Sequence, residues 1–270
     1  MHRIILATLL LTSSFALAAE PSPPTRIAPS ADTVADQLKN SPRHGEWVDI
    51  PVGETKLKTW VVYPERKDKA PVVLVIHEIF GLTDWVRGVA DQLAAEGFIA
   101  VAPDLLSGKG PNGGGTDSLG DQVGPTIRKL TPEEVAQRLD AARDWALAQP
   151  SASGKTGSVG FCWGGGASFN YATHQPKLNA AVVYYGAPPK SGLDKIECPV
   201  LGCYGGNDNR ITSTVEATKK SMEEAKKSYD SHVYDGAGHG FLRQQSSNPN
   251  KKAAEGAWGE TITFFKKNLE

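Results

Sequence analysis

A cysteine stands between glycines in the run Gly160-Phe161-Cys162-Trp163-Gly164. The spacing is that of G-x-S-x-G, with sulfur in place of the serine oxygen. Such a run makes a sharp strand-to-helix turn, where side chains at the flanking positions would clash. The turn would hold the thiol clear of the backbone and aim the next N–H, from Trp163, at a developing oxyanion. The positive end of the following helix would favour thiolate. No G-x-S-x-G occurs in the chain, so no serine competes for the role.

A thiol nucleophile needs a base. Of six histidines, His2 and His44 lie near the N-terminus, His77 ends an apolar strand, His174 ends a helix and His232 begins a strand. Each has an ordinary structural explanation. His239 lies in the glycine-flanked loop DGAGHGFL, after the last predicted strand. The acid that orients such a histidine falls between nucleophile and base. Asp208, in YGGNDNR, follows a strand and two glycines. Its ordinary role would be turn formation. Asp194 and Asp230 occupy less suitable connections, Asp235 would cap its own turn, and Asp104 precedes the nucleophile.

The elements that must position these residues alternate. WVDIPV and KTWVVYP read as an antiparallel pair. APVVLVIHE, FIAVAPD, TGSVGFC, LNAAVVYYG and CPVLGCYGG read as buried strands, and SHVYDG as a last one. Between them lie amphipathic stretches, among them DWVRGVADQLAAEG, TPEEVAQRLDAARDWALAQ, STVEATKKSMEEAKKS and a closing KKAAEGAWGETITFFKKNL. Thr131, Pro132 and Glu134 give the second of these a capping box. The alternation predicts a single α/β domain over residues 46–270, with a mostly parallel twisted sheet and helices on both faces. In such sheets ligands gather at the carboxyl ends of strands, and Cys162, Asp208 and His239 all fall at such ends.

One connection, residues 105–130, carries seven glycines and no periodicity. It reads as an inert loop or as a flap over the site. Residues 1–18 have a positive start, an apolar run and Ala16-Leu17-Ala18, the pattern of a secretory signal, too short to span a bilayer. Export to the periplasm or beyond is the expectation. A Pro-rich stretch, 19–45, reads as a linker or loosely attached arm with one short helix in DTVADQLKN. A formal net charge of −1 gives no basic excess for nucleic acid or a membrane surface. Three cysteines include Cys198 and Cys203 at an odd offset, on opposite faces of a strand, so no disulfide is expected. No cluster has zinc spacing, and the chemistry calls for no cofactor. A monomer is the expectation.

The order Cys162, Asp208, His239, with the runs VIHEIFG, APDLL, GFCWGGG, YGGND and GAGHGF, resembles the dienelactone hydrolase family over about residues 45–270. The resemblance implies an α/β-hydrolase fold. It implies hydrolysis of a small-molecule ester or lactone through a thioester, with Cys162, His239 and Asp208 as the catalytic set. It implies that Glu78 holds the resting thiol, that the N–H of Ile79 joins that of Trp163 in the oxyanion hole, and that Arg243 contacts a substrate carboxylate. From the residues alone, Glu78 could equally be an ion-pair partner, and Arg243 a solvated surface residue. A second family arginine is replaced by Gly108, with Lys109 next to it as a point charge without the planar fork. A muconate-type dienelactone therefore does not follow. A thiolate is also a good leaving group, so cysteine suits substrates that expel an enolate or phenolate. Two rivals remain: a non-catalytic binding protein for a small carboxylated ligand on the same fold, and a thiol redox protein, for which Cys162 lacks a nearby resolving cysteine.

Overall fold

Burial on both faces forces the central strands of this chain to be almost wholly apolar, and the computed structural model, which describes residues 28–270, places them in one sheet. The expected leader (1–18) and the first part of the arm lie outside the described residues. After helix α1 (Val34–Asn40) come β1 (Gly45–Val52) and β2 (Thr55–Val62), paired antiparallel with Gly45 opposite Val62. Then follow β3 (Ala70–Ile76), α2 (Asp84–Ala95) and β4 (Ile99–Pro103). Short helices α3 (Thr116–Leu119) and α4 (Val123–Ile127) precede the long α5 (Pro132–Leu147). The second half runs β5 (Ala152–Phe161), α6 (Trp163–His174), β6 (Ala180–Tyr184), β7 (Val200–Gly205), α7 (Asn209–Thr212), α8 (Val215–Glu224), β8 (Tyr229–Tyr234) and α9 (Asn248–Leu269).

The sheet order is β1-β2-β4-β3-β5-β6-β7-β8, parallel from β4 to β8. Alternate residues of β3 face opposite layers. Val73 and Val75 pack with α2 and α9 around Trp85, Trp258 and Phe265. Val72, Leu74 and Ile76 pack with α5, α6 and α8 around Leu139, Phe169 and Met222. The strand order reverses between β3 and β5: β4 lies on one side of β3, while β5 to β8 build outward on the other. The crevice of such a sheet opens at that reversal. Glu78 follows β3 and Cys162 follows β5, so both sit there.

Three local readings change. Residues 105–130 are folded, not open: Leu105, Leu106 and Ile127 are fully buried. Thr116 donates through N–H and Oγ1 to the Asp104 carboxylate at 2.8 and 2.7 Å. Arg138 donates to the carbonyls of Leu105 and Ser107. The described part of the arm is docked, with Val34 buried against α2 and Asp91 gripped by Ser41 and Arg43. At α5, Thr131 Oγ1 accepts from Glu134 N–H at 3.2 Å. The Glu134 carboxylate does not close the box; it turns to Arg138 and Lys109. Cys198 and Cys203 are unpaired and buried in opposite layers. Among the described residues no helix is long and apolar enough to cross a membrane.

Candidate active site

Cys162 occupies a turn that only its neighbours make possible. Its backbone sits at φ 57° and ψ −115°, an unfavourable region for a residue with a side chain. A Cβ at Gly160 would collide with the carbonyl of Gly164, and one at Gly164 with the carbonyls of Ile76 and His77. Cys162 N–H donates to Tyr184 O at 3.0 Å, which ties the turn to β6. Trp163 is the first residue of α6, so its N–H has no partner inside the helix.

Asp208 and His239 meet because two loops are laced together. Past β7, Gly206 N–H donates to Tyr234 O at 2.8 Å and Asn207 N–H to Ala237 O at 2.9 Å. From α9, Asn250 accepts from Gly238 N–H at 2.9 Å and donates to Gln244 O at 2.7 Å. The result is a 2.5 Å contact between His239 Nδ1 and Asp208 Oδ2, with Asp208 buried. The Cys162 thiol lies beside the ring and is the largest of the influences that raise the histidine to about 9, joined by Asp208 and opposed by partial burial. His239 thus stands under the influence of both Cys162 and Asp208.

Glu78 is buried beside these residues, and burial pushes its carboxyl up to about 7 against the pull of Arg243 and His239. Its ion-pair partner is Arg243, Nε to Oε2 at 3.5 Å. The ion pair that the residues alone allowed for Glu78 is thus present. Arg243 is not a free surface residue: its guanidinium also lies over the Phe80 ring, 4.9 Å from the centroid. The lysine expectation needs correcting. Lys109 is held by Glu134 at 2.5 Å and is not part of the cavity wall, because the folded 105–130 segment turns it toward α5. The cation this segment does bring to the cavity is Arg128.

Two residues escaped the sequence reading. His77 is fully buried; its Nε2 accepts from Leu105 N–H at 3.2 Å, so Nδ1 carries the proton and donates to Glu78 O at 2.8 Å. Burial lowers its pKa, which favours this neutral form. It fixes the backbone that leads to Ile79. Tyr185, at φ 39°, packs edge-on against His239 with centroids 5.1 Å apart, and its buried hydroxyl has no partner. A tyrosine after an apolar strand reads as core, so nothing in the sequence singled it out. Ile79, Cys162, Trp163 and Tyr185 open onto a cavity of about 840 Å³.

A mostly parallel sheet with a strained cysteine turn after β5, an aspartate after β7 and a histidine after β8 has the arrangement of the α/β-hydrolase class. Residues 57–269 match the dienelactone hydrolase family, and the chain belongs to it. A Salmonella typhimurium protein named "Putative carboxymethylenebutenolidase" is 30% identical over 266 residues, covering 94% of this chain and 95% of its own. A Methylorubrum extorquens protein of the same name is 31% identical over 280 residues, covering 98% and 92%. A Klebsiella pneumoniae crystal structure titled "Putative Dienelactone Hydrolase" superposes with a TM-score of 0.74 at 27% identity, covering 83% of this chain and 99% of that one. This chain is accordingly a hydrolase of the dienelactone hydrolase kind.

Proposed function

We propose that the protein hydrolyses an ester or lactone with a good leaving group through a thioester on Cys162. The observation that carries the reading is the Asp208–His239 contact at the strand ends, with Cys162 close enough to be the largest influence on the ring. A histidine raised to about 9 stays protonated beside sulfur at neutral pH, which suits a thiolate–imidazolium pair. The thiolate attacks the carbonyl carbon and forms the C–S bond. The N–H groups of Trp163 and Ile79 take the oxyanion. Collapse breaks the C–O bond of the leaving group, which departs as an enolate or phenolate and takes the proton from His239. The ring, now neutral and held by Asp208, removes a proton from water as it attacks the thioester. The C–S bond breaks and the ion pair is restored.

The test compares the protein with Cys162→Ala and His239→Ala on p-nitrophenyl acetate under reducing conditions. Cys162→Ala should lower kcat/KM by about 10³-fold or more, as expected when a nucleophile is removed. Intact-mass measurement of His239→Ala should show an acetyl adduct on Cys162. Aryl esters should be cleaved far faster than ethyl esters. Equal rates in Cys162→Ala and the parent would remove Cys162 from the mechanism and bring the binding-protein reading forward.

A further inference from the structure

The active-site cavity is longer than a small lactone needs. It follows α6 from Trp163 at its start to Thr173 and His174 at its end. Thr173 lies ten residues beyond Trp163, so the trough runs roughly 15 Å along the helix axis. Leu130, Val135, Ala136, Ala167 and Pro188 give it an apolar wall, interrupted by Asn170 of α6.

Positive charge outnumbers negative on this trough, whose one carboxylate interacts with His174 at the far end. Four cations line it, Arg128, Lys190, Lys195 and Arg210, against one carboxylate, Glu133. None of the four pairs with an acid among the described residues. The chain as a whole is slightly acidic, at −1, so this surplus is local. Arg128 belongs to the thiol end: a Cβ at Gly124 would touch both its guanidinium and Ile79. Lys195 belongs to the far end: a Cβ at Gly192 would touch both Thr173 and the Lys195 side chain. Lys190 sits in the same connection, between Pro188 and Ser191 on the cavity wall.

We propose that the cavity takes an extended acyl chain ending in a carboxylate, with the scissile carbonyl at Cys162 and the carboxylate on Lys190 and Lys195. The inference rests on the thiol-hydrolase reading above and adds the substrate class to it. The apolar wall carries the methylene chain, and Lys195 at the far end, with Lys190 in the same connection, holds its charged terminus. That end is also the C-terminus of α6, whose partial negative charge opposes any anion and a dianion more, so a singly charged carboxylate loses less there than a phosphate. Lysines supply point charges rather than a fork, which suits a flexible chain of variable reach.

The experiment uses p-nitrophenyl half-esters of α,ω-dicarboxylic acids, each beside its neutral methyl-capped counterpart. At a length of roughly ten carbons, set by the trough's span, the free acid should have about tenfold higher kcat/KM than the capped ester at low ionic strength, shrinking as salt screens the exposed lysines. The succinate half-ester, too short to reach, should show no such advantage. In Lys190→Gln/Lys195→Gln the free-acid advantage should collapse toward unity, and in Lys195→Arg it should persist. A readout independent of turnover is protection: the long half-acid amide should slow alkylation of Cys162 by iodoacetamide more than its capped form. Equal rates and equal protection for free and capped compounds overturn the proposal, as does an advantage that survives the double substitution. If p-nitrophenyl acetate is still hydrolysed in a Cys162-dependent way, only the substrate class has failed. If it is not, the hydrolase reading has failed with it.

Discussion

Glu78 is a carboxylate kept where water barely reaches it. Burial raises it to about 7 from an ordinary value near 4.5, so the native state holds its proton more tightly than the unfolded chain does. The stability this lends is complete below pH 4.5 and is lost as pH rises through about 7. A shift of that size corresponds to about 3 kcal/mol at alkaline pH. Glu78→Gln should therefore match the parent's melting temperature near pH 4.5 and exceed it by about 5 °C or more at pH 8. Thermal denaturation across that range checks it, and a variant less stable at pH 8 than at pH 4.5, relative to parent, contradicts the burial cost. His239 makes the complementary statement about rate. Its proton, held by Cys162 and Asp208, is lost only near pH 9. On this mechanism kcat/KM for an aryl ester should fall above that pH, and Asp208→Asn should move the fall to lower pH. The meeting of Asp208 with His239 was legible because glycine spacing and chain order constrain both. The partners of Glu78 were not. A carboxylate at a strand end has no local signature for whether it meets sulfur or the Arg243 guanidinium, which arrives from 165 positions later in the chain.

At the level of elements, apolar runs identified the central strands because parallel strands buried on both faces leave no choice of composition. The glycine-rich segment 105–130 misled for the opposite reason. Its order comes from hydrogen bonds made at a distance, not from periodicity. The Asp104 carboxylate accepts from Thr116 twice, and Thr116 Oγ1 in turn accepts from Leu82 N–H at 3.0 Å. One threonine thus joins this segment to the loop after β3. Thr116→Val keeps the shape and removes the hydroxyl. It leaves the Leu82 N–H without its partner, while Asp104 Oδ1 keeps the Leu106 N–H, a cost of about 1–2 kcal/mol. Amide exchange in residues 107–126 should accelerate while that in β3 and β5 stays slow. Unchanged exchange in the segment would mean that its other hydrogen bonds, those of Arg138 and of Thr116 N–H among them, suffice to hold it. Because Arg128 and Leu130 at its end line the cavity, KM for long substrates should rise more than kcat falls.

Over the whole molecule, the order of the chain hides how closely its two ends cooperate. Residues 28–31 run across the layer that α2 and α9 share. There Trp85 Nε1 donates to Pro29 O at 3.2 Å, and Ala31 N–H donates to Arg243 O at 3.0 Å. Gln245 closes the junction, with Nε2 donating to Pro29 O at 2.9 Å and Leu242 O at 2.8 Å. The segment from His239 to Gln245, which carries the histidine and the partner of Glu78, is therefore clasped by the chain's N-terminal arm. A Pro-rich stretch reads as a linker because its own residues form no ladder; here its carbonyls are the acceptors. Gln245→Ala removes one of the donors to these carbonyls, leaving Trp85 on Pro29 O, without touching the cavity. The loss of such bonds at a partly buried site should cost about 1–2 kcal/mol, or roughly 3–6 °C in melting temperature for a domain of this size. Hydrogen exchange should rise together in residues 28–31 and 239–245. If the clasp also sets the histidine, kcat for p-nitrophenyl acetate should drop a few-fold with KM little changed, and Gln245→Asn should recover neither, since its amide is a methylene too short. A stability loss with an unaltered kcat would show that the arm secures the fold but leaves the position of His239 to Asn250 and Asp208.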